Sequence, residues 1–427
     1  MKGFTTLPSG WFETKVSYEY EVTLGKMIQS VPTDKSNIPC QYHKSATIQD
    51  GKLLEPAQGM YASADEIANL QIQKGDLLVC EGGDIGRSAI VDTDPETPVI
   101  FQNSAHRVRS TGNYSVKWLY YVLRFFKDSG LINVEISGTN TISHFTNEIF
   151  RSMVIPFPPV DLSNKYIDFL DCKIEKINSA IQNRQKRLEA LTSYRQSLIT
   201  RAVTKGLDTD VKLKESGVKW IGNIPDHWRV CRVKNLFSVV CGATPPPKPQ
   251  YWNGDINWIG PADMDETGEI SCGRRFITPE GYDSCGTTLV PVGSLVLSTR
   301  APVGKVNIAK KELCTNQGCK SLVAYNSLAF NKYFYYVIQA AKEQLIQDSS
   351  GTTFLELSTS ALSDELLPLP GYEEQERIAT YLKEIDDKVF ELKTKISDSI
   401  RLLEEYRSSL ISSAVTGRLA IDVEATE

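Results

Sequence analysis

The chain has 427 residues, of which 41% are hydrophobic and 23% are charged, and its formal net charge is -5 at pH 7. At a usual domain size of about 150 residues, this length predicts two or three domains. No apolar run reaches the roughly 20 residues needed to cross a bilayer, and the start of the chain lacks the order of a signal peptide, so we expect a cytoplasmic protein. The acidic balance excludes a uniformly basic nucleic-acid surface, and a DNA-binding role would need Lys and Arg concentrated on one face or charge supplied by a partner.

In chain order, the sequence predicts four segments: 1–160, a first domain; 161–207, a long helix; 208–372, a linker and a second domain; and 373–427, a second long helix with a tail. Both domains contain short apolar runs broken by Gly and Pro, such as Val79–Gly86 and Leu297–Gly304. Helical patches follow these runs at Lys117–Lys127 and Asn331–Leu345. Such a mixture of strands, turns and helices is typical of α+β domains.

Apolar residues recur at spacings of three and four in both long helices. They are Ile167, Leu170, Ile174, Ile177, Ile181, Leu188 and Leu191 in the first, and Leu382, Ile385, Val389, Leu392, Ile396, Leu403, Tyr406 and Leu410 in the second. Arg184 interrupts the first series and Ser399 the second, and Gly206 and Gly417 mark the expected ends. We expect the helices to form a coiled coil; antiparallel pairing is the more economical, although the pattern does not fix the direction. The alternative is that each helix docks only on its own domain.

The two halves of the chain repeat one plan. The matching pairs are LPSGW at Leu7 with IPDHW at Ile224, Gly25 with Gly242, Lys74–Val91 with Val292–Ala309, YYV at Tyr120 with YYV at Tyr335, SGT at Ser137 with SGT at Ser350, IPFPP at Ile155 with LPLPG at Leu367, and YRQSLITRAVTKGL at Tyr194 with YRSSLISSAVTGRL at Tyr406. The repeat predicts two similar domains, each followed by a similar helix.

The segment Gly222–Met264, the paired SGT segments, LPLPGYEEQERIATYL and the two helix endings resemble the specificity subunit of a type I restriction-modification enzyme. The resemblance covers essentially the whole chain. It implies two α+β target-recognition domains separated by two long helices that form an antiparallel coiled coil, with an internal pseudo-twofold repeat. The first domain departs from the pattern, because its LGKMIQSVPTDK segment has neither the YW nor the WI of the second domain.

The resemblance also implies a function. Each domain would read one half of a bipartite, asymmetric DNA target, and the helices would dock two adenine-N6 methyltransferase subunits. The chain itself would be non-catalytic and would bind no cofactor. S-adenosylmethionine would be held by the methyltransferase subunits, and ATP and Mg by motor-nuclease restriction subunits, whose presence the sequence does not reveal.

Motifs for catalysis are missing from the sequence. The nearest approach to the Asn/Asp-Pro-Pro-Tyr/Phe tetrapeptide of an adenine methyltransferase is FPPV at Phe157, and no GxGxxG or GxxxxGK[ST] is present. The nine cysteines form no CxxC pair and the four histidines have no metal-ligand spacing, so we predict free thiols and no metal site. Two alternatives remain: a coiled-coil scaffold for protein interactions without DNA specificity, and a divergent nuclease or methyltransferase.

Candidate DNA-contacting residues are polar and basic side chains, with one aromatic, on expected loops. In the first domain they are Lys26, Arg87, Asn103, His106, Arg107, Arg109, Thr139 and Asn140, and in the second Thr244, Lys248, Gln250, Tyr251, Arg300, Asn316, Gln317, Lys320, Thr352 and Thr353. The alternative for the Pro-rich loop Thr244–Trp252 is that its aromatic residues cover the core, and the alternative for the SGT segments is a structural turn.

The repeated helix endings are candidate partner-binding surfaces. Two copies of one partner must meet equivalent surfaces, so a repeated sequence is what such binding would require. The candidate residues are Tyr194, Arg195, Leu198, Tyr406, Arg407 and Leu410. The alternative is that duplication preserved a packing unit.

Overall fold

A computed structural model of the chain describes residues 7–136, 145–265, 268–300, 302–325, 328–350 and 355–421. The chain divides into two compact units, Met1–Arg184 with Ser397–Glu427, and Gln185–Ile396. Among the described residues, no helix combines the length and the apolar character needed to cross a membrane. All nine cysteines are free thiols.

The first unit contains the following strands and helices. The strands are β1 (Phe12–Lys15), β2 (Tyr20–Leu24), β3 (Ile38–His43), β4 (Ile48–Gln49), β5 (Lys52–Leu53), β6 (Ala57–Ala62), β7 (Leu77–Cys80), β8 (Ser88–Ile90), β9 (Val99–Phe101), β10 (Ala105–Ser110) and β11 (Val154–Phe157). The helices are α1 (Val16–Glu19), α2 (Ala64–Leu70), α3 (Val116–Asp128), α4 (Leu131–Ile136), α5 (Asn147–Ser152) and the start of α6 (Val160–Lys205).

The second unit contains the end of α6 and most of the last helix. Its strands are β12 (Leu213–Glu215), β13 (Asn223–Pro225), β14 (Arg229–Arg232), β15 (Phe237–Cys241), β16 (Trp252–Ile259), β17 (Glu269–Ile270), β18 (Arg275–Ile277), β19 (Leu295–Ser298), β20 (Val306–Ala309), β21 (Cys314–Thr315), β22 (Cys319–Ala324) and β23 (Leu366–Leu369). Its helices are α7 (Val233–Leu236), α8 (Pro279–Asp283), α9 (Asn331–Ala340), α10 (Lys342–Gln347), α11 (Thr359–Asp364) and α12 (Tyr372–Val415).

The same sheet is built in both units. In the first, antiparallel strands lie in the order β2-β10-β7-β8; in the second, the order β15-β22-β19-β20 is the same, with β17 added parallel to β20. A smaller sheet also recurs: β3 pairs antiparallel with β6 and parallel with β9, as β16 does with β18 and β21. The internal repeat and the α+β class are therefore confirmed.

One amphipathic helix packs on each sheet. The helix α3 is capped by Ser115, whose hydroxyl accepts a hydrogen bond from the Lys117 amide, and it buries Trp118, Leu119 and Phe126 in the core of the first unit. In the second unit α9 buries the aromatic run beginning at Tyr333 in the same way. Burial of such large side chains is the dominant stabilising contribution to each unit.

The two long helices run antiparallel within each unit. In the first unit Tyr166 bonds to the Leu419 carbonyl at 2.6 Å and Arg184 to the Ser399 hydroxyl at 2.8 Å. As the residue number on α6 rises from 166 to 184, the number of the residue to which it bonds falls from 419 to 399, which defines an antiparallel pair. In the second unit Arg195 pairs with Asp386 at 2.6 Å, and Asp208, just beyond α6, approaches Arg377 of α12 at 3.8 Å, again in descending order. The expected antiparallel pairing is confirmed within each unit.

Both helices end where the sequence indicates. α6 stops at Lys205 before Gly206, and α12 stops at Val415 shortly before Gly417; these glycines have φ of 75° and 68°. That left-handed conformation carries no steric penalty at glycine, which explains the choice of residue. In the predicted apolar stripes, Leu392 and Tyr406 differ from the rest, because they are 46% and 53% exposed.

Candidate nucleic-acid interface

The Pro-rich segment before β16, residues 243–251, is held in place by hydrogen bonds from two indole rings. The Trp252 Nε1 donates to the Pro246 carbonyl at 3.1 Å, and the Trp258 Nε1 donates to the Ala243 carbonyl at 3.0 Å. The two rings meet edge to face, with centroids 5.2 Å apart. Backbone carbonyls that are bonded to packed aromatic side chains fix the path of the segment, so its outward side chains lose little freedom on binding.

The structure brings several of the predicted second-domain residues together on this segment. Lys248 is exposed, with its Nζ 5.7 Å from the centre of the Tyr251 ring. The Thr244 hydroxyl donates to the side-chain carbonyl of Gln317, which joins the segment to the turn between β21 and β22. Gln250 is exposed, and its carbonyl accepts a hydrogen bond from the Thr278 hydroxyl at 2.8 Å. The result is one exposed surface with cationic, amide, hydroxyl and aromatic groups.

Asn316 lies at the turn between β21 and β22 but uses its side chain locally. Its Oδ1 accepts a hydrogen bond from the Gly318 amide at 2.9 Å, which closes the turn. The neighbouring Gln317 is exposed. Asn316 therefore shapes the turn that presents Gln317.

Two other predicted residues of the second domain have side chains that bond to other groups of the domain. The Arg300 guanidinium pairs with the Glu356 carboxylate at 3.0 Å and remains partly exposed. Lys320 is only 4% exposed, and its Nζ donates to the Leu357 carbonyl at 2.7 Å. Burial lowers the pKa of Lys320. In this conformation the Lys320 side chain serves the interior of the domain.

The predicted residues on β10 of the first domain also point inward. His106 is fully buried with its Nε2 2.8 Å from the Phe145 carbonyl oxygen, and Arg107, 3% exposed, donates to the Asn69 carbonyl at 2.9 Å. Burial lowers the pKa of both side chains. Arg109 forms a bidentate pair with Asp76 at 2.6 and 2.9 Å, and this hydrogen bonding raises the pKa of Arg109.

The remaining first-domain candidates are held by neighbours at the surface. Lys26 pairs with Glu66, and Arg87 donates to the Ser45 carbonyl at 2.6 Å. Asn103 is half-buried. The other predicted residues, Thr139, Asn140, Thr352 and Thr353, lie outside the described residues.

Two features of the site were not anticipated from the sequence. In the second domain Arg275 stacks on Trp252, with 3.4 Å between its guanidinium carbon and the ring centre. In the first domain, the segment that replaces the Pro-rich loop exposes apolar side chains, with Met27 74%, Ile28 51% and Val31 66% accessible. The only sequence signal for the first feature was the adjacent pair of arginines at 274 and 275.

The helix endings present two different faces. Tyr194 and Tyr406 are 60% and 53% exposed at equivalent positions of the repeat. Arg195 turns inward to Asp386 at 2.6 Å, and Arg407 binds the Asn178 amide oxygen at 2.6 Å. Leu198 is half-buried and Leu410 is 7% exposed.

The inward faces of the endings pack on the repeated tryptophans. Ile199, Ala202 and Val203 lie in one core cluster with Trp228, and Ile411, Ala414 and Val415 lie in the other, against Trp11. The repeat of LPSGW and IPDHW is therefore explained by packing. The outward tyrosines have no such explanation.

Comparison with known proteins identifies the fold and its relatives. The family model described as the type I restriction modification DNA specificity domain matches residues 22–190 and 225–402. Two specificity subunits from Methanocaldococcus jannaschii are similar: that of the MjaIX enzyme is 40% identical over 174 residues, which is 40% of either chain, and the putative MjaX subunit is 24% identical over 422 residues, covering 97% of this chain and 95% of the relative.

Two solved structures share the fold. A chain from a structural study of complex assembly and conformational transition of the type I R-M system gives a TM-score of 0.75 at 20% identity, covering 97% of this chain and 100% of that one. The HsdS subunit from Thermoanaerobacter tengcongensis gives a TM-score of 0.52 at 19% identity, covering 98% of this chain and 100% of that one.

Proposed function

The chain belongs to the type I restriction modification DNA specificity family, and on that premise we propose that it is the non-catalytic subunit that selects the DNA target of a cytoplasmic methyltransferase complex. Each domain binds one half of a bipartite, asymmetric sequence. The observation that carries the proposal is the repeated sheet with a different set of side chains at the equivalent loop of each copy: Lys248, Gln250 and Tyr251 in the second, and Met27 and Ile28 in the first.

Different surfaces on one scaffold are what an asymmetric target requires. A cation and an amide can hydrogen-bond base edges and phosphates, whereas apolar side chains favour thymine methyl groups or unstacked base steps. We therefore assign to DNA four candidates of the Pro-rich segment and the adjoining turn: the exposed Lys248, Gln250 and Gln317, and the half-buried Tyr251. The acidic chain is consistent with this role if partner subunits supply much of the phosphate contact.

The repeated helix endings dock two adenine-N6 methyltransferase subunits in this proposal. Tyr194 and Tyr406 support it, because they are exposed aromatic residues at matching positions, and tyrosine is enriched at protein interfaces. S-adenosylmethionine is held by those subunits, and ATP and Mg by motor-nuclease subunits where these are present. The long helices of this chain set the gap between the half-sites.

The test is a comparison of the purified chain with the complex it forms in its own cell. Native mass spectrometry should give two methyltransferase subunits per chain, and the complex with S-adenosylmethionine should methylate adenine only in duplexes that carry one split sequence. Methyl transfer or cleavage by the chain alone would show an enzyme instead. Binding by the complex without sequence preference would favour a scaffold.

A further inference from the structure

Arg275 packs against the indole rings of Trp252 and Trp258. Its guanidinium carbon lies 3.4 Å from the centre of the Trp252 ring and 5.5 Å from that of Trp258. A guanidinium stacked on an indole gains cation–π attraction and loses the freedom of its long side chain. Because both indoles are bonded to backbone carbonyls of the Pro-rich segment, Arg275 is held at a fixed position beside that segment.

The donors of Arg275 are still available. The residue is exposed, and within the part of the chain that the structure describes no hydrogen bond or ion pair is made by its guanidinium. Its neighbour Arg274 differs, since its Nε donates to Asp263 at 2.9 Å. Asp263 is only 8% exposed and also accepts the Gly260 amide at 2.8 Å, so it is committed to Arg274 and the turn. Of these two neighbouring arginines, Arg275 therefore has a stacked guanidinium whose N–H groups are free to bind a ligand, whereas Arg274 is bonded to Asp263.

We propose that Arg275 selects a guanine in the half-site that the second domain reads. The inference rests on the proposed function and adds the identity of one recognised base. A guanidinium offers two parallel N–H donors, which match the O6 and N7 acceptors on the major-groove edge of guanine and no other base. Stacking uses the flat face of the guanidinium and leaves the N–H groups at its edge free, so the side chain is already oriented before DNA binds.

The equivalent strand positions of the first domain do not carry this arrangement. β3 corresponds to β16, and Tyr42 takes the place of Trp258 by its pairing with Ile100 in the parallel strand. The residue opposite Tyr42 is Ala57, whereas the residue opposite Trp258 is Arg275. A residue that distinguishes the two half-sites should differ between the repeats, as this one does.

The experiment maps N6-methyladenine in cells that lack the gene and carry it back as wild type, Arg275→Lys, Arg275→Ala or Arg274→Ala. We expect both Arg275 variants to relax one guanine position in one half of the motif, with discrimination lowered at least about fivefold, while the other half stays unchanged. Arg274→Ala removes the neighbouring exposed charge and should keep the wild-type motif.

Arg275→Lys keeps the positive charge but lacks the planar guanidinium that stacks on the indole and offers two parallel donors. It therefore separates loss of the base contact from loss of charge if Arg275→Ala has a folding defect. If the Arg275 variants lowered methylation evenly at all sites with the motif unchanged, Arg275 would be a phosphate contact and the assignment would be overturned. An unchanged methylation pattern would overturn it too. A methylated split motif in the wild type with no effect of Arg275 would leave the proposed function standing; absence of any motif in the wild type would defeat both.

Discussion

The Nε of Arg184 donates to the hydroxyl of Ser399 at 2.8 Å, so the two residues that interrupt the apolar series of the long helices face each other. Arg184 also donates to the Ala180 carbonyl one turn earlier, at 3.1 Å. A polar pair inside an apolar seam fixes the register, because any shifted pairing would set the guanidinium against apolar side chains. The breaks in the pattern are therefore part of the pairing.

This contact predicts coupling between the two positions. Arg184→Leu or Ser399→Leu alone should lower the free energy of unfolding, since each leaves a polar group against an apolar side chain. The double substitution should recover part of the loss, with a coupling energy of about 0.5–1.5 kcal/mol. Denaturant unfolding of the four chains measures it. Additive effects would mean that the pair does not set the register.

Lys320 is predicted to stabilise the second domain by anchoring β22 to the segment that contains Leu357. Its counterpart in the first domain, His106, binds the Phe145 carbonyl in the same way, and the amides of Phe145 and Leu357 bond to the Glu81 and Thr299 carbonyls, both at 2.9 Å. Lys320→Met leaves the Leu357 carbonyl without this donor and should cost about 1–3 kcal/mol in thermal or denaturant unfolding.

The control for Lys320 is the exposed Lys332. Lys332→Met removes the same charge and should change the melting temperature little. Equal effects of the two substitutions would show that the anchor contributes nothing beyond charge. Retention of the methylated motif by Lys320→Met would place Lys320 outside base reading, consistent with its burial.

Gly242 should not tolerate a side chain. A Cβ there would lie 2.2 Å from the Asn316 carbonyl oxygen, and the equivalent Gly25 has the same problem with Gln102 at 2.3 Å. Gly242→Ala must displace the turn that presents Gln317, and we expect a lower melting temperature and weaker DNA binding by the complex. Gly286→Ala is the matched control, because a Cβ there meets no atom within 4 Å. Similar behaviour of both variants would contradict the close approach.

The exposed tyrosines of the helix endings predict the stoichiometry of the partner. Tyr194→Ala or Tyr406→Ala should weaken one of the two methyltransferase sites, and the double variant should weaken both, without lowering stability, since neither ring is buried. Native mass spectrometry of the purified complexes measures the copies bound. Tyr325→Ala, at a residue 61% exposed, is the control. Full occupancy in the double variant would assign docking to another surface.

Glu365 predicts a pH dependence of stability. Burial, with a contribution from Asp348, raises its pKa to about 7 from the ordinary value of 4.5, while the Trp220 Nε1 donates to its Oε1 at 3.1 Å. The folded chain binds the proton more tightly than the unfolded chain, so this group makes stability fall as the pH rises from about 4.5 to about 7.

Glu365→Gln keeps the acceptor and removes the ionisation. The melting temperature of the variant relative to wild type should therefore increase between pH 5 and pH 8. Glu280→Gln, at an exposed position, should show no such trend. Parallel curves for Glu365→Gln and wild type would show that Glu365 does not control this dependence.

Much of the fold could be predicted from local patterns. The spacing of apolar residues identified both helices, and Gly206 and Gly417 marked their ends, because these depend on residues close in sequence. The apolar pattern does not fix the antiparallel direction, because the direction depends on contacts such as that of Arg195 with Asp386, which no local pattern encodes.

The site was harder to predict because the type of a residue does not show whether its side chain is buried or exposed. Arg107 and Lys320 are good base readers by chemistry, yet both lie on central strands and bond inside the domain. Arg275 was missed for the opposite reason. Its stacking partner Trp252 comes next to it only through the pairing of β16 with β18, which shifts register between Trp252 and Ile256.

The most direct test of the central claim is to sequence native DNA by a method that reports N6-methyladenine, comparing the source cell with one that lacks this gene. The proposed function predicts that methylation disappears from one split motif with a fixed gap and nowhere else, and returns when the gene is restored. Unchanged methylation in a cell where this chain is made and bound to an active methyltransferase would contradict it.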